Sequence, residues 1–248
     1  MKLECRHIAK SFGGVRALAD VSILFPSQGI VAIIGPNGAG KTTLVDTVTG
    51  VTRPDHGQWL ADGQDITGWS TERVVQAGIA RSFQGIRLLA EESVFDNLAL
   101  AIPDPAAETL WSAFLHFKTT TFRPGVLKEA ARLASLAGMD RRLEDPVSSL
   151  SYGEQKLVSA MVTAATGAAV LMLDEPLAGV HGEGVSRIID FTRGLAASGR
   201  LIVFIEHDLA AVRRMAETTI LMDQGTVLAM GTTSEILGQR ALLEAYLG

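Results

Sequence analysis

A single cysteine, Cys5, in a chain of 248 residues excludes an intrachain disulfide and a cysteine-rich zinc site. Cys5 therefore reads as a structural strand residue. No apolar run reaches the roughly 18 residues of a membrane-spanning helix. The mean hydropathy of +0.25 is accordingly assigned to buried strands and an Ala-rich core. The opening MKLECRHIAKSF has no apolar stretch of the secretory type, so the chain is expected to stay in the cytoplasm. An excess of basic charge is missing too. The formal net charge of −5 gives no long-range attraction for nucleic acid. It does not exclude nucleotide binding, because a phosphate site can be built mainly from backbone N–H groups. Low-complexity tracts, heptad arrays and internal repeats are absent. What remains, 47% hydrophobic and 20% charged, is the make-up of a folded protein with one large core or two lobes.

Short β-branched runs predict strands at 2–8, 21–25, 29–34, 57–61, 79–83, 169–174, 200–205, 218–223 and 226–230. Several are almost continuously apolar: IVAII before Gly35, VLMLD ending at Asp174, LIVFI ending at Ile205. Such runs suit parallel strands covered on both faces. The pairs Asp62-Gly63 and Gln224-Gly225 predict hairpin turns and small antiparallel pieces at the edges. From about residue 93 to 165 helical spacing replaces the strand pattern. Leu110, Trp111, Phe114, Leu115 and Lys118 fit one helix with an aromatic face, and Pro103, Pro105 and Pro124-Gly125 punctuate the region. The expected architecture is α/β: a core of 1–90 and 166–248, with a helical subdomain of about 91–165 inserted into it.

The segment Gly35, Pro36, Asn37, Gly38, Ala39, Gly40, Lys41, Thr42 matches G-x-x-x-x-G-K-[ST] between a strand and the helix-forming TLVDTVTG, the context this phosphate loop requires. Glycines let backbone N–H groups turn inward around phosphates, and the helix N-terminus adds partial positive charge. Lys41 is expected at the β- and γ-phosphates, the Thr42 hydroxyl on Mg²⁺, and Thr43 at an α-phosphate oxygen. VLMLDEP places Asp174 and Glu175 at the C-terminal end of a buried strand, where open α/β sheets put ligands. Asp174 is expected to orient Mg²⁺ through its water shell, and Glu175 to polarise the attacking water. An Asp-Glu pair alone could equally be a solvated strand end; the phosphate loop upstream decides for catalysis.

LSYGEQ, Leu150 to Gln155, begins a helix leading into the Asp174 strand. It resembles the LSGGQ signature of ATP-binding cassette (ABC) proteins, although Leu-Ser-x-Gly alone would be read as a helix N-cap. The resemblance implies that Ser151, Gly153 and Glu154, by hydroxyl and amides, bind the γ-phosphate of an opposing subunit. It further implies a γ-phosphate contact from His207 after LIVFIE and an Mg²⁺ and water contact from Gln84 in IARSFQ. Phe12 in KSFGG would be the aromatic stacked on adenine; taken singly, it would be core. The order Phe12, Gly35–Thr42, Gln84, Ser151, Asp174–Glu175, His207 runs through the whole chain. The implied fold is a P-loop NTPase of ABC type: a parallel-sheet core, a small antiparallel β subdomain and an inserted α-helical subdomain.

FGGVRAL, IARSFQGIRLLAEESVFDNL, the Tyr152-containing signature and the terminal AYLG most resemble the ATPases of branched-chain amino-acid importers, the LivG-like group. Urea and amide importers and the lipopolysaccharide-export ATPase share several of these features. The resemblance implies ATP and Mg²⁺ as cofactors, a second ATPase subunit, integral membrane permeases and, indirectly, a solute-binding protein. It implies no nucleic acid, and a place on the inner face of the cell membrane. Soluble ABC ATPases of DNA repair or translation usually carry coiled-coil insertions or two ATPase domains, which 248 residues without heptads do not fit. A P-loop kinase would leave LSYGEQ idle. Two departures stand out. His181 occupies a position usually held by Asp or Asn, and is expected to act as a neutral stand-in with local hydrogen bonds. Val162 stands where Arg is common, which predicts changed packing and retained hydrolysis. Trp111, Phe114 and Phe117 are expected in the lobe core, a permease-facing groove being the alternative.

Overall fold

The computed structural model describes residues 1–82, 88–103 and 124–239. Two sheets stack across a shared apolar layer. The larger combines β10 (Thr226–Thr232), β9 (Thr218–Asp223), β3 (Gly29–Ile34), β8 (Leu201–Ile205), β7 (Val170–Asp174) and β6 (Ile79–Arg81), in that spatial order. Its strands are parallel except β10, which runs antiparallel at the edge. The smaller is wholly antiparallel: β2 (Val15–Leu24), β1 (Leu3–Phe12), β4 (His56–Ala61), β5 (Gln64–Asp65).

The apolar runs explain the layering. Every residue of β3, β7 and β8 is buried, and successive side chains face opposite layers, as the two-residue pleat requires. Ile30, Ala32 and Ile34 of β3 join Leu171, Leu173, Ile202 and Phe204 on the helical side. Val31 and Ile33 join Val170, Met172, Val203 and Ile205 toward the antiparallel sheet, where Leu3, Ile8, Leu18 and Trp59 meet them. Each such aliphatic side chain stabilises the fold by about 1.5–3 kcal/mol on burial. Cys5 lies in β1 inside this layer, and burial pushes its thiol up to about 12.

On the other face lie α3 (Val94–Ala101), α4 (Pro124–Ala137), α5 (Tyr152–Ala165) and α6 (Glu183–Ala197). Their inner faces, Leu98, Ala130, Leu133, Leu157, Met161 and Phe191 among them, form one apolar cluster with the sheet. Pro124 and Gly125 stand at the N-terminal end of α4 as far as the described residues reach. The helix expected around Trp111 and Phe114 lies outside the described residues.

Both predicted hairpin turns are present. Asp62 (φ +49°) and Gly63 (φ +82°) join β4 to β5, and Gln224 (φ +44°) and Gly225 (φ +75°) join β9 to β10. The left-handed pair matches the twist of two-residue hairpins. The second turn has a further task, because the Gly225 N–H donates to the Ala39 carbonyl (3.1 Å) and its own carbonyl accepts the Ala19 N–H (2.9 Å). Strands β1 and β2 extend beyond the runs predicted at 2–8 and 21–25, meeting at a Gly13-Gly14 turn.

Candidate active site

The phosphate loop leaves the C-terminal end of β3 and enters α1 (Lys41–Val48) through Gly40, which stands at the helix N-cap with φ +95°. A side chain there is excluded twice. The left-handed conformation disfavours it, and an added Cβ would lie 2.4 Å from the Ala17 carbonyl of β2. A Cβ added to Gly35 would lie 2.1 Å from the Met222 carbonyl of β9, whereas one on Gly38 would meet nothing within 4 Å. The loop is therefore braced by both sheets and open on its ligand side. The first amides of α1 lack intrahelical acceptors. Asn37 and Thr42 are exposed, and Pro36, Gly40 and Thr43 partly so.

Lys41 is buried, and its ammonium donates to the carbonyls of Gly35 (2.7 Å) and Pro36 (2.9 Å). One of its three protons remains for a phosphate. Burial pushes its pKa down, and the charge of Glu175 works in the opposite direction.

Strand β7 delivers Asp174 and Glu175 beside this loop. Asp174 is only 5% exposed. Its N–H donates to the Ser82 hydroxyl (3.2 Å) and its Oδ2 accepts Arg81 Nη2 (2.9 Å), while Arg81 Nη1 bonds Asp46 of α1. Arg81, at the end of β6, thus ties the Asp174 carboxylate to the helix that follows the phosphate loop. Glu175 has φ +47°, a left-handed conformation that costs a side-chain-bearing residue about 1–3 kcal/mol and persists only where its surroundings impose it. Its Oε1 lies 3.1 Å from Nε2 of His207, which follows β8. Asp208, the next residue, caps α7 (Leu209–Met215) by accepting the Ala210 N–H. Glu206 is buried. Its Oε1 takes the Leu177 N–H (2.9 Å) and its Oε2 the His207 N–H (3.3 Å). Burial, with a smaller contribution from Glu175, raises its pKa.

Ser151 is the N-cap of α5 in a capping box. Its hydroxyl and N–H both donate to Glu154 Oε2 (2.8 and 3.0 Å), and the hydroxyl accepts the Glu154 N–H (3.4 Å). Burial works to raise the Glu154 carboxyl. The Ser151 bonds and the charges of Arg142 and Arg187 outweigh it and hold the group below the usual carboxylate range. Gly153 packs against Val180 and Gly184, letting α5 and α6 approach closely. Phe12 ends β1 half exposed, with the Lys10 ammonium 5.3 Å from its ring centroid. Gln84, Trp111, Phe114, Phe117 and the terminal AYLG lie outside the described residues. His181 is exposed and makes no hydrogen bond among the described residues, so the expected local bonds are not formed there. Val162 lines a cleft of about 240 Å³ with Val51, Val75, Ala80, Leu88 and Thr166; where an arginine is common, the chain has an apolar wall.

The structure brings together Lys41, Asp174, Glu175 and His207 at the carboxyl ends of three adjacent parallel strands. Sequence reasoning missed Arg81 and Glu206. Each is a charged residue at the tip of an apolar strand, IAR and LIVFIE, a placement that calls for a buried partner.

A phosphate loop, an acidic pair and a histidine on neighbouring parallel strands define a P-loop protein that hydrolyses a nucleoside triphosphate. The chain belongs to the ABC transporter family, whose model matches residues 18–178, and it is an ATP-hydrolysing subunit of that class. Over 99% of its length it is 33% identical to the high-affinity branched-chain amino acid transport ATP-binding protein LivG of Escherichia coli K12, covering 97% of that protein. It is 30% identical to the probable LivG of Archaeoglobus fulgidus, over 99% of this chain and 95% of that one. Among solved structures, the ADP conformation of an ATP-binding cassette of an ABC transporter superposes with a TM-score of 0.87 at 28% identity, covering 100% of this chain and 99% of that one.

Proposed function

We propose that the chain powers import of branched-chain or other hydrophobic amino acids, as one of two ATPase subunits beneath integral membrane permeases on the inner face of the cell membrane. A solute-binding protein delivers cargo to those permeases. The near full-length similarity to LivG proteins supports the cargo. The observation that carries the hydrolytic mechanism is the Glu175–His207 contact at 3.1 Å, set within the electrostatic reach of Lys41.

Lys41 and the loop amides from Gly35 to Thr43 hold the phosphates, and Phe12 stacks on the adenine. Mg²⁺ fits the donors present: the exposed Thr42 hydroxyl and the free oxygen of Asp174 are hard ligands. Mg²⁺ in a nucleotide site takes one or two protein ligands and completes its shell with phosphate oxygens and water. When bound, the ion neutralises charge that develops on the phosphoryl oxygens. Glu175 accepts a hydrogen bond from the attacking water, orients it and takes its proton. His207 holds the Glu175 carboxylate and donates toward the γ-phosphate. Gln84 contributes to the metal and water contacts. Ser151 and the amides of Gly153 and Glu154 in a second copy close over the same phosphate. The helical segment of about 91–165 faces the permease.

Two experiments test this. The purified chain hydrolyses ATP with Mg²⁺ and stops with EDTA; Glu175→Gln keeps ATP bound, loses on the order of 10²-fold or more in rate and accumulates as an ATP-dependent dimer. Cells lacking the chain take up labelled leucine poorly; wild type restores uptake and Lys41→Ala does not. Wild-type hydrolysis by Glu175→Gln rejects the catalytic assignment, and unchanged uptake rejects the cargo.

A further inference from the structure

The turn that carries Glu175 is gripped from two sides by residues that touch no nucleotide in the mechanism above. The Glu175 N–H donates to the Ile205 carbonyl at 3.1 Å, and the Ala178 N–H returns to the Glu175 carbonyl at 3.2 Å. From the β8 side, the buried Glu206 carboxylate takes the Leu177 N–H. From the α5 side, Lys156 Nζ donates to the Glu175 carbonyl at 3.2 Å. Because Pro176 follows, that peptide unit has no N–H. Its carbonyl is its sole hydrogen-bonding group.

Lys156 is only 8% exposed. It sits among Leu157, Val158, Ala160 and Met161 on the buried face of α5, with the Tyr152 ring 5.9 Å from its ammonium. Lysine is rarely buried to this extent, and an apolar side chain of similar length would fill the space without desolvating a charge. What the ammonium adds is the bond to Glu175. Lys156 lies in the second turn of the helix whose N-terminus, at Ser151, faces a second copy's γ-phosphate under the reading proposed above.

We infer that Lys156 is a positioning residue that links the phosphate seated on α5 to the catalytic carboxylate of its own chain. The inference rests on the proposed roles of Glu175 and of the α5 N-terminus. Helix α5 moves as a rod. Drawing its N-terminus toward a neighbour's phosphate carries Lys156 along and pulls on the Glu175 carbonyl. Glu206 and Ile205 hold the opposite side of the turn. The peptide between them therefore rotates, and the Glu175 side chain swings relative to His207. Each site is armed by the nucleotide that its chain's signature helix grips, so occupancy of one site controls chemistry at the other.

The test compares ATP hydrolysis as a function of ATP concentration for wild type, Lys156→Met and Lys156→Arg. ATP-dependent dimerisation is followed in parallel by size-exclusion chromatography in a Glu175→Gln background. Lys156→Met is expected to lower kcat on the order of 10- to 100-fold, the scale of a small misplacement of a reacting group. KM for ATP stays within about twofold, and the Hill coefficient falls toward one. Lys156→Arg, which can still reach the carbonyl, restores most of the rate. Dimerisation of Glu175→Gln is unchanged by adding Lys156→Met. If Lys156→Met does not fold, Lys156→Gln, too short to reach, serves in the same comparison. An unchanged kcat overturns the inference, as does lost dimerisation, which would make Lys156 part of phosphate docking. Failure of Lys156→Arg to rescue a chain whose melting temperature has also dropped would reduce the residue to a packing role. A wild-type chain that hydrolyses no ATP would overturn the underlying reading of the site, an outcome distinct from any of these.

Discussion

Replacing Arg81 with methionine removes the cation between Asp46 and Asp174 while keeping most of the side-chain volume. Breaking a buried ion pair from one side costs about 3–5 kcal/mol, because a charge is left desolvated. Two features reduce that figure here. Asp46 keeps 24% of its side chain in water against 5% for Asp174, so its carboxylate is readily hydrated once released. Arg81 Nε is buried without a hydrogen-bond partner among the described residues; removing such a group relieves a penalty of about 1–3 kcal/mol. The net expectation is a loss of about 2–3 kcal/mol. For a chain of this size that corresponds to a melting temperature lower by about 5–10 °C, read by circular dichroism in nucleotide-free buffer at neutral pH. Arg81→Lys keeps the charge but reaches a single carboxylate and should lose about half as much. Asp46→Asn, which leaves the Asp174 pair intact, should cost less than about 1 kcal/mol. A melt of Arg81→Met within about 2 °C of wild type would refute the reasoning. So would an Asp46→Asn variant as damaged as Arg81→Met, since the buried charge at Asp174 would then not be the one that matters.

Gly40→Ala places a Cβ 2.4 Å from the Ala17 carbonyl at φ +95°; the loop must shift, and equilibrium dialysis with ATP should find binding lost along with a lower melting temperature. Lys41→Ala removes a charge-assisted contact of about 1.5–3 kcal/mol and should weaken ATP binding roughly 10- to 150-fold in the same measurement. The Glu154 carboxyl is held below its ordinary 4.5 in the folded chain, so its stabilisation is present above that pH and is lost as pH falls through the folded value. Glu154→Gln keeps an acceptor for the capping box but loses the charge that faces Arg142, Arg187 and the helix N-terminus. It should therefore melt lower than wild type at neutral pH by about 0.3–1 kcal/mol, and the gap should close in acid; a gap of equal size at both pH values would contradict the role of the charge.

Much of the sheet was legible because β3, β7 and β8 are covered on both faces and consist of unbroken apolar runs. The phosphate loop was legible for a different reason: Gly35 and Gly40 stand where backbone atoms of neighbouring strands leave no room for a Cβ. Strands β1 and β2 were read too short. Their outer halves are mostly exposed or half-buried and show no clean apolar–polar alternation, and only the Gly13-Gly14 pair marked the turn between them. Two-residue β5 has no periodicity to read. The grip around the acidic pair was invisible in the chain order. Arg81 meets Asp46 and Asp174 at separations of 35 and 93 residues, and Lys156 and Glu206 act on backbone groups that carry no residue identity.

By the usual criteria the Gln224–Gly225 turn is the place to insert a tag or open the chain for circular permutation: a two-residue loop at a sheet edge, outside every motif of the site. The contacts argue otherwise. Gly225 is sandwiched between Ala39 and Ala19, and even one methyl group on it would lie 2.7 Å from the Ala17 carbonyl. The turn is the keystone where the two sheets lean on the phosphate loop from behind. A protein engineer who cuts there would obtain a folded chain whose nucleotide grip has gone slack. The Asp62–Gly63 turn, where an added Cβ on the glycine meets nothing within 4 Å, is the position that tolerates an insertion.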